Sequence, residues 1–224
     1  MSWTIYRHTK GMHYLGLGLA LHSETRAPHT VYRCLYSNDL SKTWIRPREM
    51  FEGRNEKGET RFEPIARLRV VDPEDEPVVL GFGFDAWGEG RTLNQFIESY
   101  GKDQNHLRGT RYLLENLSGL PLCNLNTLRF QRGLMGIASV ATSPEHRGQG
   151  YARLLLKAVM ELKRLESGDD VRFLLFSEVN PRIYEDCAFR VLSNEHQNFK
   201  PSMAMATGPL PIAPHEGEFL KHYF

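Results

Sequence analysis

The chain has 224 residues, enough for one sizeable core or at most two small domains. Its 41% hydrophobic and 25% charged residues are an ordinary soluble globular mix, and a formal net charge of +1 gives no global electrostatic case for nucleic acid or an anionic membrane. No apolar run approaches the ~20 residues of a transmembrane helix, and MSWTIYRHTKGMHY lacks the apolar stretch of a secretion signal.

In chain order, residues 11–24 carry Met12, Leu15, Leu19 and Leu21 among small residues and suggest a helix, which Gly16 and Gly18 weaken. TVYRCLY, 30–36, has the β-branched and aromatic content of a strand. Residues 38–60 are polar, with Asn38, Asp39, Pro47, Gly53 and Gly58, and read as a long loop. IARLRVV (65–71) and VVLGFGF (78–84), joined by Asp72-Pro73-Glu74-Asp75-Glu76-Pro77, read as an antiparallel hairpin. Thr92–Tyr100 and Arg108–Leu117 read as short helices in a strand-poor region, 88–131.

The second half is better defined. GLMGIASV, 133–140, reads as a buried strand that Thr142-Ser143-Pro144 ends. Residues 150–166 form an amphipathic helix with Ala152, Leu155, Leu156, Val159 and Leu162 on one face. VRFLLF, 171–176, is apolar enough for a strand covered on both faces. Asn180-Pro181 begins a short helix, Asn as cap and Pro at a position where its missing N–H costs nothing. Phe189–Leu192 and Ser202–Ala206 are weaker strands. Cys34, Cys123 and Cys187 are widely spaced and odd in number. They read as core thiols in a reducing, cytoplasmic setting, with no metal site.

The order strand, glycine turn, helix, strand carries the chemistry. A helix N-terminus offers unpaired N–H groups and partial positive charge, and Gly148 and Gly150 allow close approach of a phosphate. Arg147 can add a charged hydrogen bond. No Lys-Ser/Thr pair follows the glycines, as a P-loop needs, and the spacing is not that of a dinucleotide fold. The segment Val140-Ala141-Thr142-Ser143-Pro144-Glu145-His146-Arg147-Gly148-Gln149-Gly150-Tyr151-Ala152 resembles the acetyl-CoA motif of the GNAT superfamily of N-acetyltransferases, Arg/Gln-x-x-Gly-x-Gly/Ala after a strand ending in Val. Asn180-Pro181-Arg182-Ile183-Tyr184-Glu185-Asp186-Cys187-Ala188-Phe189 is similar to the family's later Asn, Tyr, Gly-Phe segment. The resemblance is specific over about 130–192; Ala188 replaces the family's Gly, and Asn180 stands closer to Tyr184 than is common there.

The resemblance implies an α/β fold: a mixed, mostly antiparallel sheet of six or seven strands with helices on both faces, as one domain over 1–224. Its fourth and fifth strands would be parallel and splay at the acyl-CoA arm. It implies transfer of acetyl from acetyl-CoA to a primary amine by direct attack, releasing CoA. Val140 and Thr142 would lie along the arm, Arg147, Gly148, Gln149, Gly150, Tyr151 and Ala152 at the pyrophosphate, and Asn180 at the arm or as a cap. Tyr184 would protonate the thiolate. The expected strand carries no Asp, Glu or His, so Glu178 is the first candidate base and water held by Ser139 or Ser177 the second. His146 reads as an exposed loop residue, and the Phe224 carboxylate as a remote alternative. The acceptor is a small-molecule amine in first place, a peptide or protein amine in second; Glu63, Asp85, Glu89 and Glu98 are acids that could draw one. A homodimer is compatible with the family. The rival reading is a non-catalytic acyl-CoA-binding module of the same fold.

Overall fold

The computed structural model describes residues 2–130 and 133–208. These divide into two compact units, one of residues up to 70 with 114–121 and one of 71–113 with 122 onward.

The first unit is built on strands β1 (Ser2–His8), β2 (His13–Leu21), β3 (Pro28–Cys34), β4 (Thr43–Pro47) and β5 (Phe62–Val70), with helix α1 (Arg48–Glu52) after β4. The strand order is β5-β1-β2-β3-β4, and each neighbouring pair is antiparallel. The helix expected at 11–24 is therefore wrong. A side chain at Gly16 would reach within 2.8 Å of the Tyr6 ring, so glycine here permits close strand contact, and the pairing shifts register between Gly16 and Gly18. The loop expected at 38–60 holds β4 and α1. Phe51 from α1 stacks on Phe62 from β5 at 4.1 Å between ring centres, within a core of Tyr14, Tyr32 and Cys34. Apolar burial of such rings outweighs the weak propensity of this polar stretch.

The second unit begins with four short helices: α2 (Glu76–Gly81), α3 (Phe84–Trp87), α4 (Leu93–Tyr100) and α5 (Gln104–Arg108). Strands β6 (Thr110–Glu115), β7 (Pro121–Arg129) and β8 (Leu134–Thr142) follow, then helix α6 (Tyr151–Ser167), β9 (Arg172–Ser177), helix α7 (Arg182–Glu185), β10 (Arg190–Val191) and β11 (Met203–Ala206). The spatial order is β10-β11-β9-β8-β7-β6. The β8–β9 pair is parallel, while β7–β8, β9–β11 and β10–β11 are antiparallel. This is the mixed, mostly antiparallel arrangement that the sequence suggests, but the described residues hold eleven strands in the two units, not the six or seven expected over the chain.

Three expectations fail in this unit. The region 88–131, read as poor in strand, holds β6 and all of β7. The apolar run 78–84 spans the end of α2, a turn and the start of α3, and is not the second arm of a hairpin. The Asp75 carbonyl accepts the Val78 and Val79 N–H groups, Pro77 lies in the first turn, and Val79 and Leu80 are buried. A short apolar run cannot by periodicity alone distinguish buried helix from buried strand. Residues 110–115 are strand, not helix: Gly109 is extended, and Arg111–Glu115 are all buried, which erases any periodic signal. The helix α6 follows its pattern. Leu155, Leu156, Val159 and Leu162 are buried, each stabilising by about 1.5–3 kcal/mol. All three cysteines are buried thiols. The Phe224 carboxylate lies outside the described residues.

Candidate active site

Strands β8 and β9 pair only through Leu134, Met135 and Gly136 with Arg172, Phe173 and Leu174. Beyond Gly136 they part, and a cavity of about 490 Å³ opens between Ile137–Val140 and Leu175–Phe176. Glu178, Tyr184, Trp87, Glu89 and Tyr100 also line it. The separation is helped by a bulge in β8. Asn124 pairs with Ala141 and Asn126 with Ala138, so Ser139 and Val140 together face Leu125. Ser139 takes a left-handed φ of 49°, and its side chain hydrogen-bonds to Tyr100. A bulge leaves backbone groups unpaired in the ladder and re-aims them, here beside the cavity.

Tyr184 comes from α7. Burial, then the neighbouring Cys123, Cys187 and Glu178, push its phenol up to about 12, so it is a neutral O–H donor at physiological pH. Its hydroxyl has no hydrogen-bond partner among the described residues. Glu178 is exposed and accepts a hydrogen bond from Trp87 Nε1 at 2.6 Å. Of the other expected groups, the Ser177 hydroxyl donates to the Val179 carbonyl, and His146 contacts Ser143 away from this cavity. Val140 lines the cavity, whereas Thr142 and Asn180 do not.

After β8 a single 3-10 turn, Pro144–His146, leads into the glycine loop. Gly148 and Gly150 have φ of 76° and 83°, and a Cβ at either would meet nothing within 4 Å. Backbone conformation, not crowding, is what selects glycine here. Gly150 is the N-cap of α6, which leaves the first N–H groups of that helix, at Tyr151 and Ala152, without intrahelical acceptors. The Arg147 guanidinium is turned to protein acceptors. It forks onto both Asp85 oxygens and also donates to the carbonyls of Phe82 and Thr142. The pair holds the Asp85 carboxyl below its usual range. Asn180 Oδ1 accepts the Arg182 N–H, a capping contact at the start of α7.

A sequence model of the Acetyltransferase (GNAT) family matches residues 46–189, well over half of the chain. The chain belongs to the GNAT acetyltransferase family. A second model, of a protein family of unknown function (DUF1653), matches residues 4–64. Among solved structures, a chimera of Vibrio cholerae spermidine N-acetyltransferase and hSSAT has a TM-score of 0.50 at 16% identity, over 62% of this chain and 93% of its own. An IAA acetyltransferase from Bacillus cereus gives 0.47 at 16%, over 63% and 98%. The N-acetylglutamate synthase of Neisseria gonorrhoeae, in complex with coenzyme A and N-acetyl-glutamate, gives 0.49 at 17%, over 64% and 35%. At 16% identity the likeness to the chimera concerns the fold alone. No curated protein matches the sequence.

In this GNAT chain Ala188 holds the left-handed turn that the family gives to Gly, with φ of 67°. The closer Asn180 spacing still brings Tyr184 to the cavity. Sequence reasoning missed Trp87 and Tyr100. Trp87 carries no signal, lying just past a run misread as strand. Tyr100 was placed on a helix, and the reciprocal Thr92/Gln95 capping box that fixes α4 could have directed attention to its far end. Of the acids named earlier, Glu89 lines the cavity, Asp85 is tied to Arg147, Glu98 pairs with Lys102, and Glu63 pairs with Arg7 in the first unit.

Proposed function

We propose that this chain transfers an acetyl group from acetyl-CoA to the primary amine of a small molecule by direct attack. The observation that carries the reading is the parting of β8 and β9 after Gly136, with Tyr184 on the cavity so formed. The site suits the cofactor. The backbone of Gly148–Ala152 offers N–H groups to a pyrophosphate at the N-terminus of α6. The edge of β8 at Val140 and Thr142 offers hydrogen bonds to an extended arm, as an added strand would use. Bound there, acetyl-CoA supplies an activated acyl group. Arg147 supports the loop by bracing Thr142 and Asp85 instead of reaching the phosphates itself. Asn180 supports the arm through the position of α7.

Holding amine and thioester in one cavity contributes by proximity. Backbone N–H groups around the Ser139–Val140 bulge stabilise negative charge on the carbonyl oxygen. Glu178, oriented by Trp87, takes the proton from the amine, directly or through water. The Tyr184 O–H delivers a proton to the leaving sulfur, a role that its place on the cavity and its unused hydroxyl favour; its raised pKa keeps the proton on the phenol until the thiolate forms. A small acceptor is favoured by the neighbouring cavity of about 320 Å³, lined by Glu89, Asp103, His106 and Asn126, which shares Trp87, Tyr100 and Ser139 with the first. Direct attack predicts initial-rate lines that intersect when acetyl-CoA and amine are varied together. Parallel lines would mark an acyl-enzyme and remove this mechanism. Among the described residues no helix is long and apolar enough to cross a membrane.

A further inference from the structure

We propose that the first unit carries a second site, independent of acetyl transfer, that binds a small phosphate-bearing anion. The place is a cavity of about 690 Å³ beside the turn after β1, with β4 and the segment that leads into β5 contributing to its wall. Four permanent cations line it, Lys10, Arg46, Lys57 and Arg61, against two carboxylates, Glu56 and Glu59. Glu59 already accepts from Asn55 Nδ2 at 2.8 Å. Among the described residues none of the four cations is in an ion pair; the carboxylate of Glu63 goes to Arg7 and that of Glu52 to Arg48. A concave site with unpaired cations lowers the cost of bringing in an anion and repays its desolvation.

Two guanidinium groups make the site more than surface lysines. Arg61 Nε is buried and has no hydrogen-bond partner. An unmet buried donor of this kind is costly unless a ligand supplies the acceptor. The Arg46 guanidinium carbon lies over the Phe62 ring, 5.5 Å from its centre, and Nε donates to the Tyr32 hydroxyl at 3.4 Å. That leaves its terminal nitrogens for a forked contact, which matches phosphate oxygens. His8 stands among these charges; burial first, then Lys10, Arg46 and Arg61, hold its pKa below the usual imidazole value. The volume admits a phosphate with an organic group attached. Single-stranded nucleic acid is the poorer fit, because no Phe, Tyr or Trp lines the cavity to stack on a base.

The test is an NMR titration of the full chain with pyrophosphate, read at the His8 imidazole, whose signal is assigned from the His8→Gln spectrum. The cation variants below distinguish this site from pyrophosphate held at the glycine loop of the second unit. The proposal expects saturable shifts and a His8 titration displaced to higher pH, since the bound anion offsets the cations around it. Arg46→Gln and Arg61→Gln should each weaken binding about tenfold, and the exposed Lys10→Gln and Lys57→Gln about threefold. Acetyl transfer should be unchanged in all four. If Arg61→Gln fails to fold, the two lysine variants still decide. Absence of saturation, an unmoved His8 titration, or lysine variants that bind like the parent would overturn the site. Binding of a single-stranded RNA oligonucleotide in place of pyrophosphate would overturn the choice of ligand.

Discussion

The two units shape their cavities by different means. In the second unit the backbone does it: left-handed glycines at 148 and 150, a left-handed Ser139 in a bulge, and two strands that part after Gly136. In the first unit side chains do it, with long cations from separate segments meeting over an aromatic core. A cavity shaped by backbone keeps its shape through changes of side chain but not through a change of conformation. Side-chain-built sites behave the other way. The difference also explains what each contributes chemically, since N–H groups at a helix end and a bulge are fixed donors, whereas arginine and lysine act mainly through charge.

The sharpest way to probe the second unit is its one proposed proton donor. Tyr184→Phe should lower the turnover of acetyl transfer about 100-fold while coenzyme A affinity, measured by calorimetry, stays within about twofold. Next in size is the backbone itself. Gly150→Val places a β-branched residue at a φ of 83° and should weaken coenzyme A binding about 30-fold, the equivalent of ~2 kcal/mol, with helix content retained in circular dichroism. If valine binds coenzyme A like the parent, conformation is not what makes that loop. A smaller effect concerns pH. The Tyr184 pKa in the folded chain, about 12, lies above the unfolded value near 10, so the folded state holds that proton more tightly. The resulting stability is full below pH 10 and is lost as pH rises toward 12. Between pH 10 and 11 the parent should lose about 1 kcal/mol more stability than Tyr184→Phe in urea titrations. Smallest is Ala188→Gly, which relieves a left-handed alanine and should stabilise by about 1 kcal/mol, raising Tm by roughly 2–4 °C.

Legibility followed the same division. The glycine loop, α6, β8 and β9 were readable because each is local: a periodic apolar face, two glycines and a cap lie within a few residues of one another. Ala188 could be recognised as occupying a glycine position only through the resemblance to the family's Gly-Phe segment. The first unit was hidden because its strands are short and its core depends on rings far apart in sequence, such as Phe51 on Phe62 and Tyr14 near Tyr32. Arg111–Glu115 misled because complete burial removes periodicity, and 78–84 because seven apolar residues fit either element. Within the site, Tyr184 could be named through the family resemblance and Glu178 from its place just past a strand, but Trp87 and the Arg147–Asp85 pair depend on contacts across 91 and 62 residues.

Whether the cavity performs chemistry is settled most directly by amine-dependent release of coenzyme A from acetyl-CoA, followed as free thiol against a panel of small primary amines. The account predicts that at least one amine raises thiol release well above the amine-free rate in the parent, and that Tyr184→Phe largely abolishes the increase without losing the cofactor. Coenzyme A binding with no amine-dependent release would instead identify a module that holds acyl-CoA without transferring from it, and would contradict the enzymatic reading.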